Sequence, residues 1–398
     1  MESSRELADM HHILHGIYRL NPALRLIAHA ELGTQERVAF QRLAEDPDHF
    51  GLLVSSEIPE LGVQTVDRSG AFFFSQLKTP GRAPIAEDEP HKLAALVLDG
   101  ILEYCDHGQF ITGPNAYAAL CNEAIPHRQP ADRIAHIAFE ALKFAQQLTT
   151  RDARQISAWL YRYNAIPLHP VWAQRLAGRQ QINDYLDIAA NGHLRRLLDD
   201  CFLTYEVPSW RAWRRSGVPE VMDNARPTYK LYISPHPSAL PETFSAAAEL
   251  FIKHGVAAFK LGCDAHGLLR PDKLIAYFPT YTQLDEVATA LEEQLPGDAV
   301  QGVPFTASLA ANGMLSWGVD PPRQESIPGW QDTLSWRKWI TDRLARAIVL
   351  ARVLGSGDVE PWQYALARLT LDGVNPEQWL PSRTIWAEKN TVGERHES

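Results

Sequence analysis

The chain has 398 residues, 45% hydrophobic and 22% charged, the profile of a soluble globular protein with room for two or three domains. Its formal charge of −10 argues against a nucleic-acid binder, so any phosphate site must be a local cluster of cations on an acidic molecule. Four widely spaced cysteines (Cys105, Cys121, Cys201 and Cys263) contain no CxxC pair, indicate neither a zinc ribbon nor a disulfide framework, and fit a reducing cytoplasm.

The N-terminus MESSRELADMHHILHG carries acidic residues and no continuous apolar core, so no secretory signal is expected there. No stretch approaches the roughly 20 apolar residues that span a bilayer, and no membrane partner is expected. The first half reads mostly helical. Residues 133–149 place Ile134, Ile137, Ala141, Leu142, Ala145 and Leu148 on one stripe behind Asp132 as N-cap. Residues 91–104 and 181–202 repeat that pattern, and short strands are expected at 50–55 and 70–77 (GAFFFSQL). His11, His12 and His15 share one N-terminal helix without a partner constellation and read as surface residues.

Three prolines, a glycine and a run of arginines in 207–228 mark a boundary between a helical domain, 1–222, and a second domain, 223–398. Beyond it, YKLYIS (229–234), VAAFKL (256–261) and KLIAYF (273–278) read as strands. A helix over 241–254 has Pro241 in its first turn and Gly255 as its stop. A second helix, 283–294, starts at Thr282 and Asp285, and VPFTASL and GMLSWGV supply two more strands. With a helical tail over 330–354, the fold class is α+β: helical N-terminal domain, then a mixed α/β domain with a small twisted sheet.

Only nine lysines stand against 29 arginines, yet Lys230, Lys260 and Lys273 fall within 44 residues, all in or at the start of predicted strands. A crowded or buried lysine can lose its proton, which an arginine cannot; the competing reading is that strand-end lysines are solvated and guard sheet edges. Period-two geometry puts Lys230, Tyr232 and Ser234 on one face, and Lys273 and Tyr277 on one face of their strand. Lys260 joins them if its strand pairs in register, with His266 and Arg270 in the connection leading to Lys273. Such a site suits a phosphorylated substrate and an amine base: the positive field holds phosphate and lowers the pKa of one lysine, which can then take a proton from carbon. That is the chemistry of β-elimination from phosphoserine or phosphothreonine. No GxxxxGK[ST] loop, HRD/DFG set, HExxH motif or GxSxG elbow is present, and neither a metal nor a cofactor is expected.

The segment from about 226 to 320 resembles the phosphothreonine-lyase-type domain of lanthipeptide synthetases. The resemblance lies in KLYIS (230–234), FK (259–260), DKLIAYFP (272–279), GVPFT (302–306) and the strand end Trp317-Gly318. RPTYKLYISP, LLRPDKLIAYFPT and SWGVDPP are similar to the HopA group of type III effectors, whose relatives serve as stand-alone lyases in class V lanthipeptide and thioamitide biosynthesis. The resemblance implies that Lys260 is the base, that Lys230 holds phosphate or enolate, and that Arg270, Lys273 and Tyr277, with Arg226, line the phosphate pocket. Effector lyases carry their acid histidine two residues after the first lysine; Tyr232 stands there in this chain, so Tyr232, His236 and His266 compete for the acid's role.

The function so implied is a metal-independent phosphoserine/phosphothreonine lyase that makes dehydroalanine or dehydrobutyrine on a ribosomal precursor peptide. Its partners would be that phosphorylated precursor, a separate Ser/Thr kinase-like protein and a cyclase. Residues 1–222 are left for precursor or partner binding. The alternatives are an effector-like phosphopeptide- or protein-binding module without catalysis and, more remotely, a structural scaffold in a modification complex. Phe259, Tyr277 and Phe278 read equally well as core aromatics, and Trp317 reads as core rather than ligand-stacking.

Overall fold

The computed structural model describes residues 9–34, 37, 41, 46–55, 63–85, 90–217, 228–295, 297–321, 335–355, 357 and 359–381. Arg226 lies outside the described residues, as does 330–334 of the expected tail. The fold is mixed α/β. Two small antiparallel sheets lie in the N-terminal part: β1 (Tyr18–Leu20), β5 (Leu102–Asp106) and β6 (Gln109–Ile111) form one, and β2 (Leu24–Ala28), β3 (His49–Ser55) and β4 (Gln64–Asp67) the other. The largest sheet has seven antiparallel strands in the order β12-β13-β9-β11-β10-β8-β7. Its members are β7 (Phe202–Val207), β8 (Trp210–Arg215), β9 (Tyr229–Ile233), β10 (Ala258–Gly262), β11 (Leu274–Phe278), β12 (Ala307–Ser308) and β13 (Leu315–Val319). A last hairpin, β14 (Val374–Asn375) with β15 (Leu380–Pro381), closes the chain's described part.

Alternation sorts the large sheet into two faces. Leu231, Phe259, Leu261, Leu274, Ala276, Phe278, Trp213 and Trp317 point to one, where the helices Leu240–Lys253 and Tyr281–Glu292 bury them. Phe259 stacks on Trp213 at 4.9 Å between centroids, with Phe244 and Phe251 of the first helix around it, and Trp317 meets Tyr281 of the second at 4.8 Å. Phe259, Phe278 and Trp317 are core aromatics, whereas Tyr277 faces the lysines. The opposite face carries the lysines. Helices Ala153–Arg162 and Trp336–Leu354 cover part of it, and a short helix, Ala265–Leu269, joins β10 to β11.

Gly318 is where the last long helix seats against β13: an added Cβ would lie 2.5 Å from Trp336 Cδ1 and 2.7 Å from Cγ, atoms of a fully buried ring. Trp336 is also held by its indole N–H donating to the Phe305 carbonyl at 3.0 Å. Gly318→Ala is therefore expected to destabilise the fold by about 1–3 kcal/mol, by overpacking rather than lost contacts. Equilibrium urea unfolding checks this; an unchanged midpoint would mean the helix shifts freely.

Several sequence expectations change in the structure. GAFFFSQL is helical, not a strand: Arg68–Gln76 forms a helix behind Asp67, whose carboxylate accepts from the Gly70 N–H at 2.6 Å, and buries Ala71 and Phe74 at helical spacing. The 91–104 helix stops at Leu98, because Gly100 turns left-handed at φ 74° and Leu102 enters β5. The 181–202 helix is broken into Arg179–Tyr185 and His193–Cys201 around Asp187, at φ 54°. The helix after β11 begins at Tyr281, capped by Thr280 rather than by Thr282 or Asp285. Residues 202–215, read as helix end and loop, are β7 and β8, so the large sheet draws strands from both sides of residue 222.

Candidate active site

Register decides which lysines meet. Lys230 of β9 sits opposite Tyr277 of β11, Tyr232 opposite Ile275, and Ile275 opposite Lys260 of β10. All five side chains therefore share the face opposite the helices Leu240–Lys253 and Tyr281–Glu292, and the condition that Lys260 pair in register is met. They line a cavity of about 360 Å³ whose other walls are Trp210, Arg270, Asp272, Ala158, Tyr161, Arg162, Ser335 and Lys338.

Inside it, the Lys260 ammonium stands 4.3 Å from the Trp210 ring centre and 5.6 Å from that of Tyr277. Lys230 approaches the same Tyr277 ring at 5.8 Å and is paired with the Asp320 carboxylate. Burial, followed by the charges of Lys230 and Arg270, pushes Lys260 down to about 8, against the opposing pull of Asp272 and Asp320. Burial holds the Tyr232 and Tyr277 hydroxyls well above the ordinary tyrosine value, so both are protonated and able to donate.

Arg270 is fixed rather than free-swinging. Its Nε donates to Asp272 Oδ1 at 2.9 Å and Nη2 to Oδ2 at 2.8 Å, a bidentate clamp. Asp272 also forms an ion pair with Arg337 at 2.9 Å and accepts a hydrogen bond from the Tyr161 hydroxyl at 3.2 Å. Burial alone would raise this carboxylate; Arg337 and Arg270 instead bring it down to about 2. Lys338, from the first turn of its helix, pairs with Asp342 and donates to Ser157 Oγ at 3.1 Å. The cavity thus presents cations held in place by carboxylates behind them.

Of the residues singled out in the sequence, Lys230, Tyr232, Lys260, Arg270 and Tyr277 come together here. Lys273 does not line the cavity. It is 0% exposed, and its ammonium donates to the Pro235 carbonyl at 2.8 Å and to the Gln301 side chain. Burial pushes it down to about 7, but no substrate can reach it. His236 caps the turn Pro237–Ala239 beside Trp172, and His266 is exposed on its short helix; neither lines the cavity. Trp210, Tyr161, Asp272, Asp320 and Lys338 were not singled out. Asp272 and Asp320 stand inside the quoted motifs RPDKL and SWGVD, where an acid beside a lysine strand could have marked them. Tyr161 and Lys338 reach the cavity from distant helices and left no such mark.

No cluster of three or more potential metal ligands occurs among the described residues, and no described helix is long and apolar enough to cross a membrane. No family model matches the chain, and no curated protein matches it. Among solved structures it is similar to the effector protein from Pseudomonas syringae pv. tomato strain DC3000, at 15% identity and TM-score 0.38, over 62% of this chain and 97% of that one. It is similar also to the effector protein from Pseudomonas syringae pv. syringae strain 61, at 14% identity and TM-score 0.37, over 63% and 100%. The type III effector and phosphothreonine lyase OspF from Shigella flexneri overlaps less, at 13% identity and TM-score 0.26, over 35% and 84%. All three overlaps are partial and at low identity, and none carries a residue role to this chain.

Proposed function

We propose that the protein is a phosphoserine/phosphothreonine lyase acting on a phosphorylated precursor peptide. One observation carries the reading: a lysine brought down to about 8 faces a second lysine and a protonated tyrosine inside a cation-lined cavity. The phosphate sits against Lys230, Arg270 and Lys338. Neutral Lys260 takes the α-proton; the electron pair of that C–H bond becomes the new Cα=Cβ bond, and the Cβ–O bond breaks with its electrons leaving on phosphate. Tyr232 is the candidate to protonate the departing group. The product is dehydroalanine from phosphoserine and dehydrobutyrine from phosphothreonine. A separate kinase must supply the phosphate. The motif resemblance in 226–320 motivates a ribosomal peptide as substrate, a cyclase as the next partner, and residues 1–222 as a unit that engages precursor or partner.

A second reading is phosphopeptide binding without turnover. The pairing of Lys230 with Asp320 and of Arg270 with Asp272 favours it, because fixed cations hold phosphate without needing a neutral amine. Synthetic phosphothreonine and phosphoserine peptides separate the two. The lyase releases orthophosphate and leaves a peptide lighter by phosphoric acid in mass spectrometry. Tight binding with no phosphate release, repeated on the native precursor, would leave the binding reading standing.

Because lysines and Arg270 supply the positive charge in this scheme, turnover is expected to persist in excess EDTA. Loss of activity that added zinc or magnesium restores would point to a different mechanism.

A further inference from the structure

β7 is the last strand of the large sheet, and its register with β8 pairs Leu203 with Arg214, Tyr205 with Ala212 and Val207 with Trp210. Trp210 and Ala212 lie on the lysine face, so Leu203, Tyr205 and Val207 do too. Sheet edges and open faces are ordinarily kept polar, yet these three are 55%, 47% and 42% exposed. Between them, Glu206 turns to the other side and pairs with Arg211 and Arg179. The apolar strip runs directly into the cavity. Val207 adjoins Trp210, on whose ring the Lys260 ammonium rests at 4.3 Å. β7 and β10 are two strand spacings apart, about 10 Å, a span of roughly three extended residues.

We propose that this strip is the docking surface for the substrate's flanking sequence: an extended peptide with apolar side chains at alternate positions, lying on Leu203, Tyr205 and Val207 while its phosphoresidue enters the cavity. The identity of the occupant rests on the lyase reading; the surface itself is tested by binding alone. Continuity with the cavity selects a peptide over a second copy of the chain, because the strip's inner end is the site wall. The cavity's cations also favour an occupant carrying a phosphate. Strand periodicity matches on both sides, since side chains of an extended peptide and those of β7 each repeat every second residue.

The probe is a fluorescein-labelled synthetic phosphothreonine peptide of about twelve residues, long enough to cross the sheet at roughly 3.3 Å per residue, with Val and Phe at alternate positions. A second peptide replaces the Val and Phe by Gly and Ser, and a minimal substrate is N-acetyl-phosphothreonine amide. Leu203→Ser, Tyr205→Ser and Val207→Ser together are expected to weaken binding of the apolar peptide about tenfold, judged by fluorescence anisotropy, through loss of apolar contact. Phosphate release from the minimal substrate and the thermal midpoint should stay at the wild-type level. Phe72→Ser, a change at a residue 64% exposed outside the large sheet, should leave the apolar peptide's affinity untouched. Strip-dependent binding without phosphate release would support the docking surface while overturning the lyase reading. Equal affinity of the triple variant for the apolar peptide would overturn the docking surface. So would an equal loss on the Gly/Ser peptide, or a change from dimer to monomer in the triple variant, which would mark the strip as a self-association face.

Discussion

Lys260→Ala should lower the rate of phosphate elimination by about a thousandfold, the scale expected for removing a general base, while the protein stays folded and still binds phosphopeptide. Folding is expected to survive because the ammonium rests on Trp210 and Tyr277 and, among the described residues, makes no ion pair whose loss would strand a buried carboxylate. Lys260→Arg should fail nearly as badly, although it keeps the charge, because a guanidinium gives up no proton near neutral pH. The two variants together separate base from phosphate clamp. A site that only needs charge at position 260 keeps its activity with arginine; a site that needs a neutral amine does not. Single-turnover phosphate release with mass analysis of the peptide reads both. Full elimination by either variant would remove Lys260 from the mechanism and return attention to Lys230.

Much of the large sheet is visible in the sequence, because β9, β10 and β11 alternate cleanly: Leu231, Phe259, Ala276 and Phe278 to one side, Lys230, Lys260 and Tyr277 to the other. β8 is hidden by its own composition. WRAWRR puts arginines on both faces, which reads as a solvated loop; in the fold Arg211 is buried by pairing with Glu206 and Asn183, and Trp213 fills the core. That partnership spans elements no local pattern connects. The same limit explains Lys273. Its residue type, motif and strand position match those of a site lysine, and only the placement of Pro235 and Gln301 over it makes it a sealed group. Tyr161 and Lys338 lack even a local signal: Ala153–Arg162 is an ordinary amphipathic helix and Trp336–Leu354 is buried on nearly all sides, so the relation of either to the sheet is tertiary. Alternation shows which face a side chain takes; what closes over that face depends on distant chain.

Elimination should rise with pH along a limb set by Lys260, close to tenfold per pH unit below about 8 and level above it, because only the neutral amine removes the proton. Two neighbours move that limb in opposite directions. The charge of Lys230 is, after burial, the largest influence lowering Lys260, so Lys230→Gln should carry the limb to higher pH. Asp320 acts the other way, so Asp320→Asn should carry it to lower pH while leaving Lys230 cationic. Lys273, down at about 7, could mimic a base in a simple pH profile; Lys273→Met should leave the limb in place, because that ammonium is sealed from substrate. Stability must be followed in parallel. Lys260 and Lys273 both bind protons less readily folded than unfolded, so the stability they contribute is full above the ordinary lysine value of 10.5 and drains as pH falls through about 8 and about 7. Circular dichroism melts across pH 6 to 9 distinguish that loss of fold from loss of base. A limb that stays fixed in both Lys230→Gln and Asp320→Asn would mean that some group other than Lys260 titrates in the reaction.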